Sequence, residues 1–232
     1  MFGGGQERGL RPGTLPVALI AGLGEAARLA VDENPTRSQA AALAERRLLE
    51  FIEAAGGTVR LLPMDPETGR LDLTKLESLV TSRTRLLGVC NPVNPVGRVL
   101  TRAELQALGD FAVAHGLWIM NDEIWSDIVY EPGTFVSLAS LSPAIAARTI
   151  TVHGFSKTFG LAGLRIGYLV APSEAVFESL MEVSRARTTM TGAATLSQVA
   201  ATAAYEQCWP WAEAFVAHLR AQRDLEIGRA HV

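Results

Sequence analysis

The 232-residue chain is 48% hydrophobic and 19% charged, a composition that suits a packed protein and excludes a disordered one, because enough apolar surface exists to offset the entropy of ordering. Its net charge of −3 comes from interspersed acids and bases, with no basic stripe for nucleic acid and no acidic tail. No stretch approaches the roughly 18 apolar residues of a membrane span, and the opening MFGGGQERGLRPG lacks the apolar core of a secretory signal. The expectation is a cytoplasmic protein with a small-molecule substrate and neither nucleic acid nor a membrane as partner.

One large α/β domain is the default at this length. Residues 1–56 read poorly as a strand-helix-strand unit, and VDENPTRSQAAALAERR in particular suggests a shifted reading frame. From Gly57 onward, apolar β-type runs alternate with helical patterns. TVRLLPMD predicts a strand, TKLESLVTS a helix, RLLGVC a strand, RAELQALGDFAVAHG a helix, and LWIMND and RTITVHG two further strands. This alternation predicts a mainly parallel sheet with covered faces. Thr101 and Glu104 form the T-x-x-E pattern of a reciprocal helix cap. LRIGYLVAP predicts one more strand, followed by helices over SEAVFESLMEVSRAR, ATLSQVAATAAYEQ and PWAEAFVAHLRAQRDL. The last seven residues, EIGRAHV, read as a translated sequencing adaptor and are set aside from the fold.

Nineteen of the basic residues are arginines and only Lys75 and Lys157 are lysines, so chemistry that needs an amine has two candidates. Lys75 occupies a polar position of an amphipathic helical pattern and reads as a solvated surface residue. Cys90 and Cys208 are too far apart in the chain for a disulfide framework or a metal cluster, and each reads as a buried small hydrophobe. No metal site is expected. His153 reads as a satisfied polar group, and Phe155, Phe159, Tyr168, Trp209 and Trp211 read as core.

Ligands collect beyond the carboxyl ends of strands in open parallel sheets. There the sequence places Asn94 in a loop held by two prolines and a glycine, Asp122 at the end of LWIMND, and Lys157 just after RTITVHG. An amine desolvated beside small residues can attack a carbonyl and form a Schiff base. A shielded carboxylate can hold a ring nitrogen in its protonated form. Arg165 offers a planar fork of five donors for a phosphate, and Ser156 adds a hydroxyl. An aldehyde carrying a pyridine nitrogen and a phosphate satisfies all of these groups.

The segments N94-P-V-G97, D122-E-I-W125 and S156-K157-T-F-G-L-A-G-L-R165-I-G resemble the signature segments of class I/II aminotransferases, the fold-type-I family that uses pyridoxal 5'-phosphate (PLP). The order, the helix-sized gaps and the Lys-to-Arg spacing of eight make the combination specific. The resemblance implies an α/β three-layer sandwich with a mainly parallel sheet: the large domain of that fold, incomplete at both ends. Residues 57–190 would be the PLP-binding part, 1–56 a poorly matching N-terminal part of the same domain, and 191–225 helices leading toward a small C-terminal domain, with 226–232 artefactual. Lys157 would bind PLP covalently and shuttle the substrate's α-proton. Asp122 would pair with the ring nitrogen and Asn94 would bond the phenolic oxygen. Ser156 and Arg165 would hold the phosphate, joined by the Gly22-Leu23 turn at a helix start.

Three positions depart from the family pattern. Trp125 stands where many relatives have a tyrosine and offers a single N–H donor. ENPTRSQAAALAERR has no aromatic residue to stack on the ring, and Gly154 replaces a hydroxyl phosphate ligand with a backbone N–H alone. The implied function is amino-group transfer between an amino acid and a 2-oxo acid by a homodimer. A carbon–sulfur β-lyase of the cystathionine β-lyase type is the alternative, since D122-E-I-W-S-D-I-V-Y130 also resembles that branch. A PLP-binding regulatory module and an inactive remnant complete the readings.

Overall fold

The computed structural model describes residues 5–6, 11–12, 52, 56–65, 68–131, 133–188 and 192–230; the expected turn at Gly22 and Leu23 lies outside them. The chain falls into two units, Met1–Arg60 and Leu61–Val232. In the first, β1 (Gly5–Gln6) pairs antiparallel with β2 (Arg11–Pro12), and the Gly57 N–H donates to the Ile52 carbonyl at 2.8 Å.

The second unit is built on a four-stranded sheet of order β3-β4-β5-β6, formed by Leu86–Cys90, Trp118–Asp122, Thr149–Gly154 and Gly167–Val170. β3, β4 and β5 are parallel, whereas β6 runs antiparallel to β5. The reversal has a physical cause. A parallel return needs a crossover long enough to travel back along the sheet, normally a helix, but residues 155–166 hold only the single 3₁₀ turn Ala162–Leu164. The chain therefore doubles back, and Gly154 pairs with Gly167.

The strand expected over TVRLLPMD does not form a ladder. Only a bridge joins Met64 to Leu71, and between them the Asp65 Oδ1 atom accepts the Thr68 N–H at 2.7 Å. After the 3₁₀ turn Leu73–Lys75 comes the short helix α1 (Leu76–Leu79). Lys75 is exposed, as its pattern predicts.

Helix α2 (Arg102–Ala114) carries the chain from β3 to β4 and buries Leu105, Leu108, Gly109 and Ala112, the spacing of one helical face. Its end is a Schellman turn. Gly116 takes φ 66°, its N–H donates to Val113, and the Leu117 N–H donates to Ala112; glycine alone adopts that backbone without strain. The buried cluster includes Val89, Leu100, Ile119, Leu138 and Ile145, the last from α3 (Pro143–Ala146). It lies on the sheet face of Val89, Ile119 and Thr151. On the opposite face Leu86, Trp118 and Met120 are exposed among the described residues.

A Cβ added at Gly109 would lie 2.5 Å from Ile145 Cδ1, and Ile145 is fully buried. Gly109→Ala gains about 1 kcal/mol of helix propensity but overpacks the contact by about 1–3 kcal/mol. A net loss of about 1 kcal/mol is expected in urea unfolding, and a gain would show that Ile145 moves aside freely.

The start of α2 holds the capping box expected at Thr101 and Glu104. Glu104 Oε2 accepts the Thr101 N–H at 2.9 Å, the Thr101 hydroxyl at 2.7 Å and Arg98 Nη2 at 2.7 Å. Burial raises the Glu104 pKa, but the Arg98 and Thr101 hydrogen bonds outweigh it and bring the group from 4.5 to about 2. Depression in the folded state stabilises the fold above the unfolded pKa and is lost as pH falls through the folded one. The shift corresponds to about 3 kcal/mol at neutral pH. In urea unfolding, Glu104→Gln should therefore be weaker than the natural chain by about 2–3 kcal/mol at pH 7, and the gap should close as pH falls from 4.5 toward 2. A gap independent of pH would remove ionisation from the account.

The carboxyl-terminal part is helical: α4 (Glu174–Ser184), α5 (Thr195–Gln207) and α6 (Trp209–Ala230). Phe155, Phe159, Ala201, Ala204 and Ala212 form a second buried cluster, which ties the excursion after β5 to α5 and α6. Trp209 packs edge-on against Phe159 but, like Trp211, which stacks on Phe215, it is exposed, contrary to the core reading of both. Tyr168 is also more open than its core reading and hydrogen-bonds Tyr205 through the hydroxyls at 2.7 Å. Among the described residues no helix is long and apolar enough to cross a membrane.

Candidate active site

Three parallel strands bring their carboxyl ends to one edge, where Cys90 lies level with Asp122, and Asp122 with Val152. The loops that leave this edge carry the residues singled out in the sequence. The first is fixed by Asn91, which is buried: its Oδ1 accepts the Leu100 N–H at 2.8 Å and its Nδ2 reaches the Val136 carbonyl at 3.4 Å. Within that frame Gly97, at φ 69°, closes a turn on Val93 and leaves Asn94 exposed. Asn91 is thus the structural amide and Asn94 the presented one.

The half-buried Asp122 accepts the Ile124 N–H at 3.0 Å. Beside it, burial pushes the Cys90 thiol pKa up; the Asn94 backbone hydrogen bond opposes this and the Asp122 charge adds to it. The thiol therefore sits among groups belonging to both Asn94 and Asp122. Both cysteines are only partly buried, less so than their sequence reading. Glu123 is buried, and its carboxylate takes the Asn121 amide and the Leu138 N–H. Asn121 Oδ1 has no partner among the described residues.

Lys157 lies on the turn after β5, and its Nζ sits 4.7 Å from the centre of the Trp125 ring. The amine is exposed, contrary to the desolvated setting expected, because its neighbours Phe155, Thr158 and Phe159 fill the interior and leave position 157 facing outward. A cation over an indole face gains about 0.5–1 kcal/mol when exposed. Ser156 is half-buried. Arg165 is exposed and holds a left-handed backbone, φ 50°, an arrangement that costs a non-glycine residue about 1–3 kcal/mol. Among the described residues neither the Lys157 amine nor the Arg165 guanidinium makes an ion pair. The Gly154 N–H, expected to be free for a phosphate, donates instead to Nδ1 of His153 at 2.9 Å.

Sequence reasoning passed over Ser126, Asp127 and Thr158. Ser126 Oγ lies 2.8 Å from His153 Nε2, and the Thr158 hydroxyl donates to Asp127 Oδ2 at 2.7 Å. The one local signal is that polar residues follow directly on Trp125 and Lys157. Among the described residues no group of His, Cys, Asp or Glu could hold a metal ion.

Residues 48–225 match the sequence model of a family described as aminotransferase class I and II. The chain belongs to that family. Similar class I and II proteins include an aromatic-amino-acid aminotransferase of Thermococcus litoralis, 43% identical over 52% of this chain and 31% of the relative. The arginine–pyruvate transaminase AruH of Pseudomonas aeruginosa is 36% identical over 75% of this chain and 43% of the relative. Among solved structures, the aspartate aminotransferase of Rhizobium meliloti superposes with a TM-score of 0.68 at 30% identity, covering 75% of this chain and 43% of that one. Cystalysin of Treponema denticola, a structure that contains pyridoxal 5'-phosphate, superposes at 0.62 with 29% identity over 67% of this chain and 40% of its own. The chain spans 31% to 43% of the length of these curated relatives. The solved class I and II structures share its α/β fold, that of fold-type-I PLP enzymes.

Proposed function

We propose that the protein is a PLP-dependent aminotransferase that moves an amino group between an amino acid and a 2-oxo acid. The observation that carries the reading is the Lys157 amine, without an ion-pair partner among the described residues and exposed over the Trp125 ring, on the loop that leaves the same strand edge as Asp122. The donor set fits the cofactor: one amine, one carboxylate, one presented amide, and an arginine free of an acid partner among the described residues. When bound, PLP supplies an electron sink for the charge that develops at the substrate's α-carbon.

The rest is the work of this chain's residues. Lys157 would hold the aldehyde carbon through Nζ and would carry the substrate's α-proton on that same atom. Asp122 would hold the ring nitrogen in its protonated form by charge pairing. Asn94 would donate to the phenolic oxygen. Trp125 lies beneath the amine and, lacking a hydroxyl, leaves that oxygen to Asn94. Arg165 and Ser156 would hold the phosphate. By family resemblance the protein acts in the cytoplasm as a homodimer, with an amino acid and a 2-oxo acid as its partners.

The test is spectroscopic. The chain is loaded with PLP and offered amino donors, among them aspartate, aromatic amino acids and arginine. Conversion of the bound cofactor to its aminated form supports transfer. Release of pyruvate and thiol from cystathionine without that conversion assigns a carbon–sulfur β-lyase instead.

A further inference from the structure

The turn that carries Trp125 and the turn that carries Lys157 are tied together by side chains that the proposed reaction does not use. His153, near the end of β5, is the hub. Its Nδ1 accepts the Gly154 N–H at 2.9 Å, so in the neutral ring the proton resides on Nε2. That Nε2 lies 2.8 Å from Ser126 Oγ and 3.6 Å from Asp127 Oδ2; only the serine is within hydrogen-bonding reach. Asp127 Oδ2 in turn accepts the hydroxyl of Thr158 at 2.7 Å, and Thr158 is only 2% exposed. The imidazole is fixed from a third side by stacking on Tyr168 of β6, with ring centres 5.1 Å apart.

The register of these contacts is what matters. Ser126 and Asp127 directly follow Trp125, and Thr158 directly follows Lys157. The two side chains that meet at 4.7 Å therefore each stand next to a residue held by one of two hydrogen bonds that join the same two segments. A lysine side chain has four rotatable bonds and a large rotamer freedom; with its amine exposed, burial does not restrict it. The two hydrogen bonds restrain the backbone on both sides of the contact.

We propose that His153 and Asp127 are positioning residues, which set the placement of the Lys157 amine over Trp125 by locking the two turns together through Ser126 and Thr158. The proposal rests on the reading of Lys157 as the cofactor-binding amine. A reacting atom displaced by about 1 Å costs about a hundredfold in rate, so release of the lock should slow capture of an aldehyde at Lys157 by about tenfold to a hundredfold.

Lys75 supplies an internal reference, being the second of two lysines and exposed on a separate element. The full chain is mixed with pyridoxal phosphate and quenched with borohydride at a series of times, and modification at the two lysines is quantified by peptide mass spectrometry. In the natural chain Lys157 should be modified faster than Lys75. His153→Leu and Thr158→Val should slow Lys157 by the stated factor and leave Lys75 unchanged, while His153→Gln, which keeps a donor toward Ser126, should stay within about twofold of the natural rate, because the donor that positions the turn is retained. A thermal melt accompanies each variant. If His153→Leu shows no cooperative transition, Thr158→Val decides, since it replaces a hydroxyl with a methyl of the same size. Unchanged Lys157 rates in a folded His153→Leu and in Thr158→Val overturn the positioning role, as does an equal loss in His153→Gln. A natural chain whose Lys157 reacts no faster than Lys75 overturns the cofactor reading itself, and the positioning role with it.

Discussion

Lys157→Ala should leave the chain without any borohydride-stable adduct of pyridoxal phosphate at the sheet edge and lower amino-group transfer by about 10⁴-fold or more, since both a covalent anchor and a general base are removed. Lys157→Arg should lose as much. The arginine keeps a cation over the Trp125 ring, a contact seen here at 4.7 Å for the lysine, but it cannot be deprotonated to attack a carbonyl. The pair of variants thus separates charge from nucleophilicity. No rescue by Lys75 is expected, because it belongs to the 3₁₀ turn before α1 and not to a loop that leaves the strand ends. Peptide mapping after reduction checks the result, and an adduct that persists at full yield in Lys157→Ala would move the site elsewhere.

Asp122→Asn should lower transfer by about 10²–10³-fold, the scale of removing one group that stabilises charge in a transition state. The substitution keeps the oxygen that accepts the Ile124 N–H at 3.0 Å, so the turn should survive and stability should change little. It has a second readout without cofactor. Burial is the main cause of the raised Cys90 pKa, but the Asp122 charge adds to it. Removing that charge must lower the thiol's pKa, and Cys90 should be alkylated faster in Asp122→Asn than in the natural chain at the same pH. A fall in transfer without faster alkylation would mean that the side chain at 122 had moved, so that the kinetic loss could no longer be read as loss of its charge.

The strands RLLGVC, LWIMND and RTITVHG were legible because each is a short apolar run that gives way to polar residues at its end, and that change placed Asp122 and Lys157 at strand ends. The cap at Thr101 was legible because its partners are three residues apart. The antiparallel turn of β6 was not: periodicity reports that a strand exists and is silent on its direction, which the short excursion over residues 155–166 decided. Nor was the exposure of Lys157. Small neighbours suggested a closed setting, yet Phe155 and Phe159, buried against α5 and α6, take the interior positions. The His153 network escaped for a different reason. Ser126 and His153 are 27 residues apart and Asp127 and Thr158 are 31 apart, and no local pattern joins residues so distant in the chain. The buried roles of Asn91 and Glu123 were hidden likewise, since their partners at Leu100, Val136 and Leu138 are visible only once the loops are folded.

One carboxylate oxygen, Glu104 Oε2, serves donors on both sides of a joint: Thr101 at the first turn of α2 and Arg98 at the end of the Asn94 loop. Arg98 also accepts the Val93 N–H through its carbonyl at 2.8 Å, so the loop closes on the same residue that grips the helix. Loop and helix start are consequently coupled as one cooperative segment. An amide presented to a ligand from such a segment is braced by a helix start, although nothing about its own sequence is helical.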